Sequence, residues 1–218
     1  MIRMTIDGRT VSSPPHTDLL SVCLDNDIFV PHLCHLPGNP IEGGACRLCF
    51  VEVTGAARPL CACTVTVAEG MEVFTNTPRV RELQKSALRL LLSAHHIDCK
   101  ACAANRRCGL QDMARRLNMR LRAAPQPGLM SDNPVDHTHP AFDYLPHRCI
   151  LCGKCVRICQ RHQPEVQLSF AGRGFNTLIT SFGSTASASV DCAECLACIR
   201  ACPVGALLLK DGSLPASP

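Results

Sequence analysis

The run Cys149-Ile-Leu-Cys-Gly-Lys-Cys-Val-Arg-Ile-Cys recurs 43 residues later as Cys192-Ala-Glu-Cys-Leu-Ala-Cys-Ile-Arg-Ala-Cys. Eight thiols at one repeated spacing imply a module of two pseudo-symmetric halves. The rest of the chain is equally thiol-rich, with 17 cysteines in 218 residues but only seven Phe, one Tyr and no Trp. So few aromatics make a thin core, and small domains with thin cores are stapled by disulfides or metals. Disulfides are not expected: the cysteine count is odd, and the opening Met-Ile-Arg-Met-Thr-Ile-Asp-Gly lacks the apolar stretch of a signal peptide. A cytoplasmic location is expected instead, where dense cysteine implies metal ligation or redox chemistry. No apolar run approaches the roughly 20 residues that span a bilayer, so no membrane insertion is expected.

Each copy reads C-x2-C-x2-C-x3-C. In a two-cluster arrangement of this run, three cysteines hold one 4Fe–4S cubane and the fourth crosses to the other. The spacing assigns Cys149, Cys152, Cys155 and Cys202 to one cubane, and Cys192, Cys195, Cys198 and Cys159 to its partner. Zinc is the competing reading of C-x2-C pairs, but zinc sites use two pairs rather than triplets with a crossover fourth.

A second set lies near the amino terminus: Cys34, then Gly43-Gly44-Ala45-Cys46-Arg47-Leu48-Cys49, then Cys61 and Cys63. Such a set can surround a 2Fe–2S rhomb and resembles the plant-type arrangement, with a longer loop. The glycines let the backbone pass close and turn N–H groups toward sulfur. Cys34, Cys46, Cys49 and Cys63 are the expected ligands, Cys63 because its segment leads into the last strand; Cys61 is the alternative fourth. Cys23 is expected to pack as a small apolar residue. Between these sets stand His95, Cys99, Cys102 and Cys108. Alone they would suit zinc; flanked by two iron–sulfur modules they read as a 4Fe–4S cubane in which a histidine replaces one thiolate. His96 is then a surface or supporting residue.

Four stretches are expected: a 2Fe–2S domain over 1–77, a helical 4Fe–4S domain over 78–122, a linker over 123–142 and a two-cubane domain over 143–218. Met1–Ile6 and Arg9–Val11 flank Asp7-Gly8, a strong hairpin signal. Thr17 is positioned to cap a helix from Asp18 to about Asn26, with Leu20, Cys23, Leu24 and Asp27 along one side. Strands are expected near Cys49–Val53 and Met71–Phe74. Val80, Leu83, Ala87, Leu90, Leu91 and Ala94 recur at helical spacing, and a second helix is expected over Leu110–Leu121. The linker is rich in Pro, Gly, Ser and Asn. The formal charge of +4 is no sign of nucleic acid. Fifteen ligand thiolates and four cluster cores of about +2 each would bring it to about −3.

These three sites, in this order, resemble the amino-terminal part of the large iron–sulfur subunit of respiratory complex I. They resemble more closely the diaphorase iron–sulfur subunit of NAD-reducing hydrogenases and the amino-terminal region of FeFe hydrogenases and NAD-linked formate dehydrogenases. The likeness is carried by Ile28–Glu52, Leu92–Cys108, Cys149–Gln160 and Cys192–Leu207. It implies an α+β chain: a β-grasp 2Fe–2S domain, a small helical domain whose cubane has one His and three Cys ligands, and a two-cubane ferredoxin domain. It also implies docking beside a flavin- and NAD(P)-binding subunit and a hydrogenase, formate dehydrogenase or similar partner, with a soluble ferredoxin and electron bifurcation as open options. Leu196 departs from the glycine that many relatives carry after the second cysteine, and Thr66 from a proline; neither is a ligand. No G-x-G-x-x-G follows a strand, and 218 residues leave no room for a hydrogen-activating or molybdopterin domain. The chain is therefore expected to relay electrons without a substrate-converting site of its own.

Overall fold

A computed structural model of the chain describes residues 1–38, 43–121, 133–162, 168–181 and 192–215. These divide into two compact units: Met1–Arg89 with Arg116–Met119, and Leu90–Arg115 with Arg120–Pro218. Half of the expected linker, 123–132, lies outside the described residues.

The first unit begins with β1 (Ile2–Ile6) and β2 (Arg9–Ser13), antiparallel with Ile6 opposite Arg9. Asp7 and Gly8 both take positive φ, +49° and +79°, as a two-residue hairpin turn with the right twist requires. Helix α1 (Leu19–Asp25) follows. Its cap is Asp18 rather than Thr17: the Asp18 carboxylate accepts from the Ser21 amide at 2.9 Å and from its hydroxyl at 2.6 Å. A carboxylate takes both donors at once and also suits the positive helix end. The helix buries Leu19, Leu20, Val22 and Cys23, whereas Asp27 lies beyond it, exposed and left-handed at φ +57°. Strands β3 (Phe50–Val53), β4 (Leu60–Cys61) and β5 (Glu72–Phe74) complete a sheet of order β2-β1-β5-β3-β4, in which β5 runs parallel to β1 and antiparallel to β3. The buried core of this unit is aliphatic and thiol: Met4, Ile6, Val11, Leu20, Val51 and Val73 beside Cys23, Cys49, Cys61 and Cys63.

Helix α2 (Pro78–Ser93) opens on Thr77, whose hydroxyl accepts from the Val80 amide at 3.1 Å. Val80 and Ala87 of the expected stripe are buried, but Leu88 and Leu92 are buried with them while Leu90 is 68% exposed. Buried Gln84 donates to the Phe50 carbonyl at 3.0 Å, so an amide side chain satisfies a backbone acceptor at the start of β3.

In the second unit, α3 (Gly109–Arg116) is shorter than the expected Leu110–Leu121. Strand β6 (Phe142–Tyr144) pairs antiparallel with the late β9 (Leu207–Leu209), bringing the ends of the repeat region together. Between them lie α4 (Lys154–His162), the hairpin β7 (Leu168–Ala171) and β8 (Leu178–Ser181), α5 (Cys192–Cys195) and α6 (Ala197–Ala201). Phe142, Tyr144, Val156, Leu168, Ile179, Ile199 and Leu207 form the core with Cys155. No helix among the described residues is long and apolar enough to cross a membrane.

Candidate iron–sulfur sites

The segment between α1 and β3, the end of β4 and the turn Ala62–Thr64 gather five thiols. Cys49 Sγ stands 3.3 Å from Cys63 Sγ; Cys34 hydrogen-bonds with Cys46 and Cys63, and Cys49 also with Cys61. Gly43 runs so near that a Cβ there would meet Cys63 Sγ at 2.7 Å. Gly44 and Arg47 take φ of +99° and +54°, and left-handed residues turn successive amides toward a common centre. Cys34 accepts from the Cys46 and Gly44 amides, and Cys46 from those of Leu48 and Leu33. Protons are shared unevenly. Hydrogen bonds from Cys46 and Cys63 hold Cys34 well below the usual thiol range, while Cys34 pushes Cys46 far above it and Cys63 up to about 12. Cys61 comes down to about 7, chiefly through Cys49, with the Arg47 cation adding to it. Cys23 is fully buried, and burial pushes its thiol up to about 12, as suits an inert core residue.

His95 lies two residues beyond α2. Burial lowers its pKa to about 4, leaving a neutral imidazole with a lone pair to offer, and its buried Nδ1 has no partner among the described residues. Cys99 begins a short 3₁₀ turn, Cys102 follows it, and Cys108 directly precedes α3. Burial raises Cys108, the Cys102 and Cys99 thiols add to that, and the Gln111 and Leu110 amides at the start of α3 oppose it. A Cβ on Gly205 would stand 2.8 Å from Cys102 Sγ, and the Gly109 amide donates to the Pro203 carbonyl at 2.7 Å. His96 is exposed and donates its amide to the His147 carbonyl at 2.9 Å.

The eight repeat cysteines line two separate cavities. One is lined by Cys149, Cys152, Cys155 and Cys202 with Tyr144, Ile179 and Leu207. The other is lined by Cys159, Cys192, Cys195 and Cys198 with His139, Phe142 and Leu196. The fourth cysteine of each run thus faces the cavity of the other. Burial raises the Cys155 thiol, takes Cys198 up to about 12 and Cys202 to about 11, with the Val204, Ala206 and Leu207 amides opposing it at Cys202. Buried thiols that resist ionisation among apolar walls, yet already hold amide donors, fit a cationic metal–sulfide core. Leu151 donates its amide to Cys149 Sγ at 3.4 Å from a left-handed φ of +50°. Gly153 and Leu196, equivalent in the two copies, take φ of +71° and +45°. The repeat also equates Arg157 and Arg200, which donate to the carbonyls of Cys152 and Cys195 at 3.3 and 2.8 Å. Their equal offsets in the two copies are the sequence signal for this shared contact.

These features define a class: an iron–sulfur protein with a 2Fe–2S domain followed by 4Fe–4S regions. Residues 1–78 match a 2Fe-2S iron-sulfur cluster binding domain, 84–122 the NADH-ubiquinone oxidoreductase-G iron-sulfur binding region, and 148–206 a 4Fe-4S dicluster domain. The chain is 33% identical over 212 residues to the HndD subunit of the NADP-reducing hydrogenase of Solidesulfovibrio fructosivorans, covering 95% of this chain but only 36% of that one. It is 30% identical over 210 residues to the gamma subunit of the NAD-reducing hydrogenase HoxS of Cupriavidus necator, covering 96% of this chain and 87% of that one. A crystal structure of an NAD+-reducing [NiFe]-hydrogenase in the H2-reduced state contains a similar chain, with a TM-score of 0.82 and 27% identity over 99% of this chain and 90% of that one. The chain belongs to the family of iron–sulfur subunits that includes HoxS gamma.

Proposed function

We propose that this chain is an electron-relay subunit holding one 2Fe–2S and three 4Fe–4S clusters, serving between a flavin- and NAD(P)-binding subunit and a catalytic partner. The partner is a hydrogenase, a formate dehydrogenase or a ferredoxin–NAD(P) oxidoreductase. In this reading a β-grasp domain, 1–77, carries the 2Fe–2S cluster on Cys34, Cys46, Cys49 and Cys63. A helical domain, 78–122, carries a cubane on His95, Cys99, Cys102 and Cys108. A ferredoxin domain, 143–218, carries two cubanes on the crossed cysteine sets. The observation that supports it most is the sorting of eight thiols into two cavities, one fourth ligand exchanged between the copies. Zinc knuckles give no reason for that exchange. Cys63 is favoured over Cys61 because it contacts both Cys34 and Cys49 and because Gly43 makes room for its sulfur.

Bound clusters would store and release single electrons. The chain's own contribution is to set how readily they do so. Amides at Gly44, Leu48, Leu110, Leu151 and Val204 stabilise added negative charge on sulfur, and apolar walls of Leu, Ile and Val limit water. Metal and acid-labile sulfide analysis of the anaerobically purified chain tests the assignment, with an expected value of about 14 irons and a brown chromophore. A colourless protein carrying zinc would overturn it.

A further inference from the structure

Two buried side-chain atoms have no hydrogen-bond partner among the described residues, His95 Nδ1 and Arg148 Nε. They belong to one cluster of residues. The His95 ring hydrogen-bonds with the Arg148 main chain, and the Arg148 guanidinium donates to Asp98 Oδ2 at 2.6 Å. Arg148 is 7% exposed, an unusual place for a cation, and Asp98 is its only charged partner among the described ion pairs. Asp98 directly precedes Cys99 and Arg148 directly precedes Cys149, so the pair joins loops from two of the proposed cubane sites. An N–H left unsatisfied in the interior is destabilising unless something accepts from it. The described residues offer Nε no acceptor, and a cluster sulfide would be one.

We propose that Arg148 is a positioning residue shared by the His95 and Cys149 sites, setting the placement of His95 and, through its buried charge, raising the reduction potential of the neighbouring cubane. This rests on the ligand sets proposed above. The physical content is a sign. Reduction adds negative charge to the cluster, so a buried cation favours it and an unpaired buried carboxylate opposes it. Removing the cation and removing the anion must then act in opposite directions, which loss of a merely structural staple would not do.

The test is an EPR-monitored redox titration of the full chain with its iron, the signal of the histidine-ligated cubane being identified by its change in His95→Cys. At a fixed ambient potential, Arg148→Met should lower the reduced-to-oxidised ratio of that cubane or the Cys149 cubane about tenfold, which is about 59 mV for one electron. Asp98→Asn should raise the same ratio, and Arg148→Lys, which keeps the charge, should stay within about threefold of wild type. Shifts of the same sign in Arg148→Met and Asp98→Asn, or shifts under about twofold with iron content intact, overturn the proposal. If Arg148→Met loses its iron, Asp98→Asn decides alone, and a ratio that fails to rise refutes the charge effect. Wild-type protein without cubane signals would refute the relay reading rather than this one.

Discussion

Gly43 is where the structure makes its most exacting demand on a single side chain. A methyl group at this position would lie 2.7 Å from Cys63 Sγ and 3.0 Å from its Cβ, where ordinary contacts fall at 3.4–4 Å. The sulfur is the far end of a short side chain and could swing away in a metal-free protein. Once it is an iron ligand, it cannot move without lengthening a bond to the metal. Overpacking of this kind costs about 1–3 kcal/mol, so Gly43→Ala should weaken retention of the 2Fe–2S cluster by about 5- to 150-fold. Iron content should fall from about 14 toward about 12 per chain, with visible circular dichroism of the 2Fe–2S centre lost and the cubane EPR signals kept. Cys63→Ser should do the same, while Cys61→Ser should leave the centre in place. A Gly43→Ala protein with full iron and an unchanged 2Fe–2S spectrum, alongside a Cys61→Ser protein that has lost the centre, would refute the reasoning and make Cys61 the ligand.

Gly205→Ala places a Cβ 2.8 Å from Cys102 Sγ and should disturb the EPR signal of the cubane proposed on His95, Cys99, Cys102 and Cys108 while leaving 2Fe–2S dichroism unchanged. Leu196 holds φ at +45°, a strain of about 1–2 kcal/mol, while its half-buried side chain contributes about the same through packing. Leu196→Gly should therefore move the melting temperature by only a few degrees, whereas Leu196→Ala keeps the strain, loses the packing and should melt lower, by differential scanning calorimetry. Because folding and cluster binding are linked in so thin a core, anaerobic oxidative chelation of the iron should abolish cooperative thermal unfolding of both units; a metal-free protein that still melts as sharply as the loaded one would contradict this.

Much of this is readable in the chain because short-range chemistry decides it. The Asp7-Gly8 turn is local, and only residues tolerant of positive φ close such a hairpin. The sorting of Cys159 and Cys202 into exchanged cavities is legible because the repeat gives each fourth cysteine a fixed offset from its triplet. Choices between adjacent equivalents are not. Thr17 and Asp18 are both cap formers, and the carboxylate prevails by taking two donors from Ser21. In α2 the run Leu88, Leu90, Leu91 and Leu92 lets periodicity propose a helix without fixing which leucine faces outward, and tertiary packing turns Leu90 to solvent. The hairpin of β7 and β8 carries no tight-turn signal, because six residues, two of them glycine, separate its strands.

Two of the site features that sequence reading misses have partners remote in the chain. Asp98 and Arg148 are separated by 50 residues, and Gly205 lies against Cys102 where the segment after Cys202 meets the start of α3, the Gly109 amide donating to the Pro203 carbonyl. Cysteine spacing specifies which atoms can grip a cluster, since ligands must reach a compact core from one or two loops. It does not specify the surroundings of that core, which come from whatever the fold packs against it. Electron affinity depends on those surroundings, through amides aimed at sulfur and buried charge near iron. Two chains with identical cysteine patterns can therefore hold the same clusters at different potentials. In this chain the residues that would set the difference are Arg148, Asp98 and the left-handed Arg47, Leu151 and Leu196, none of which is a ligand.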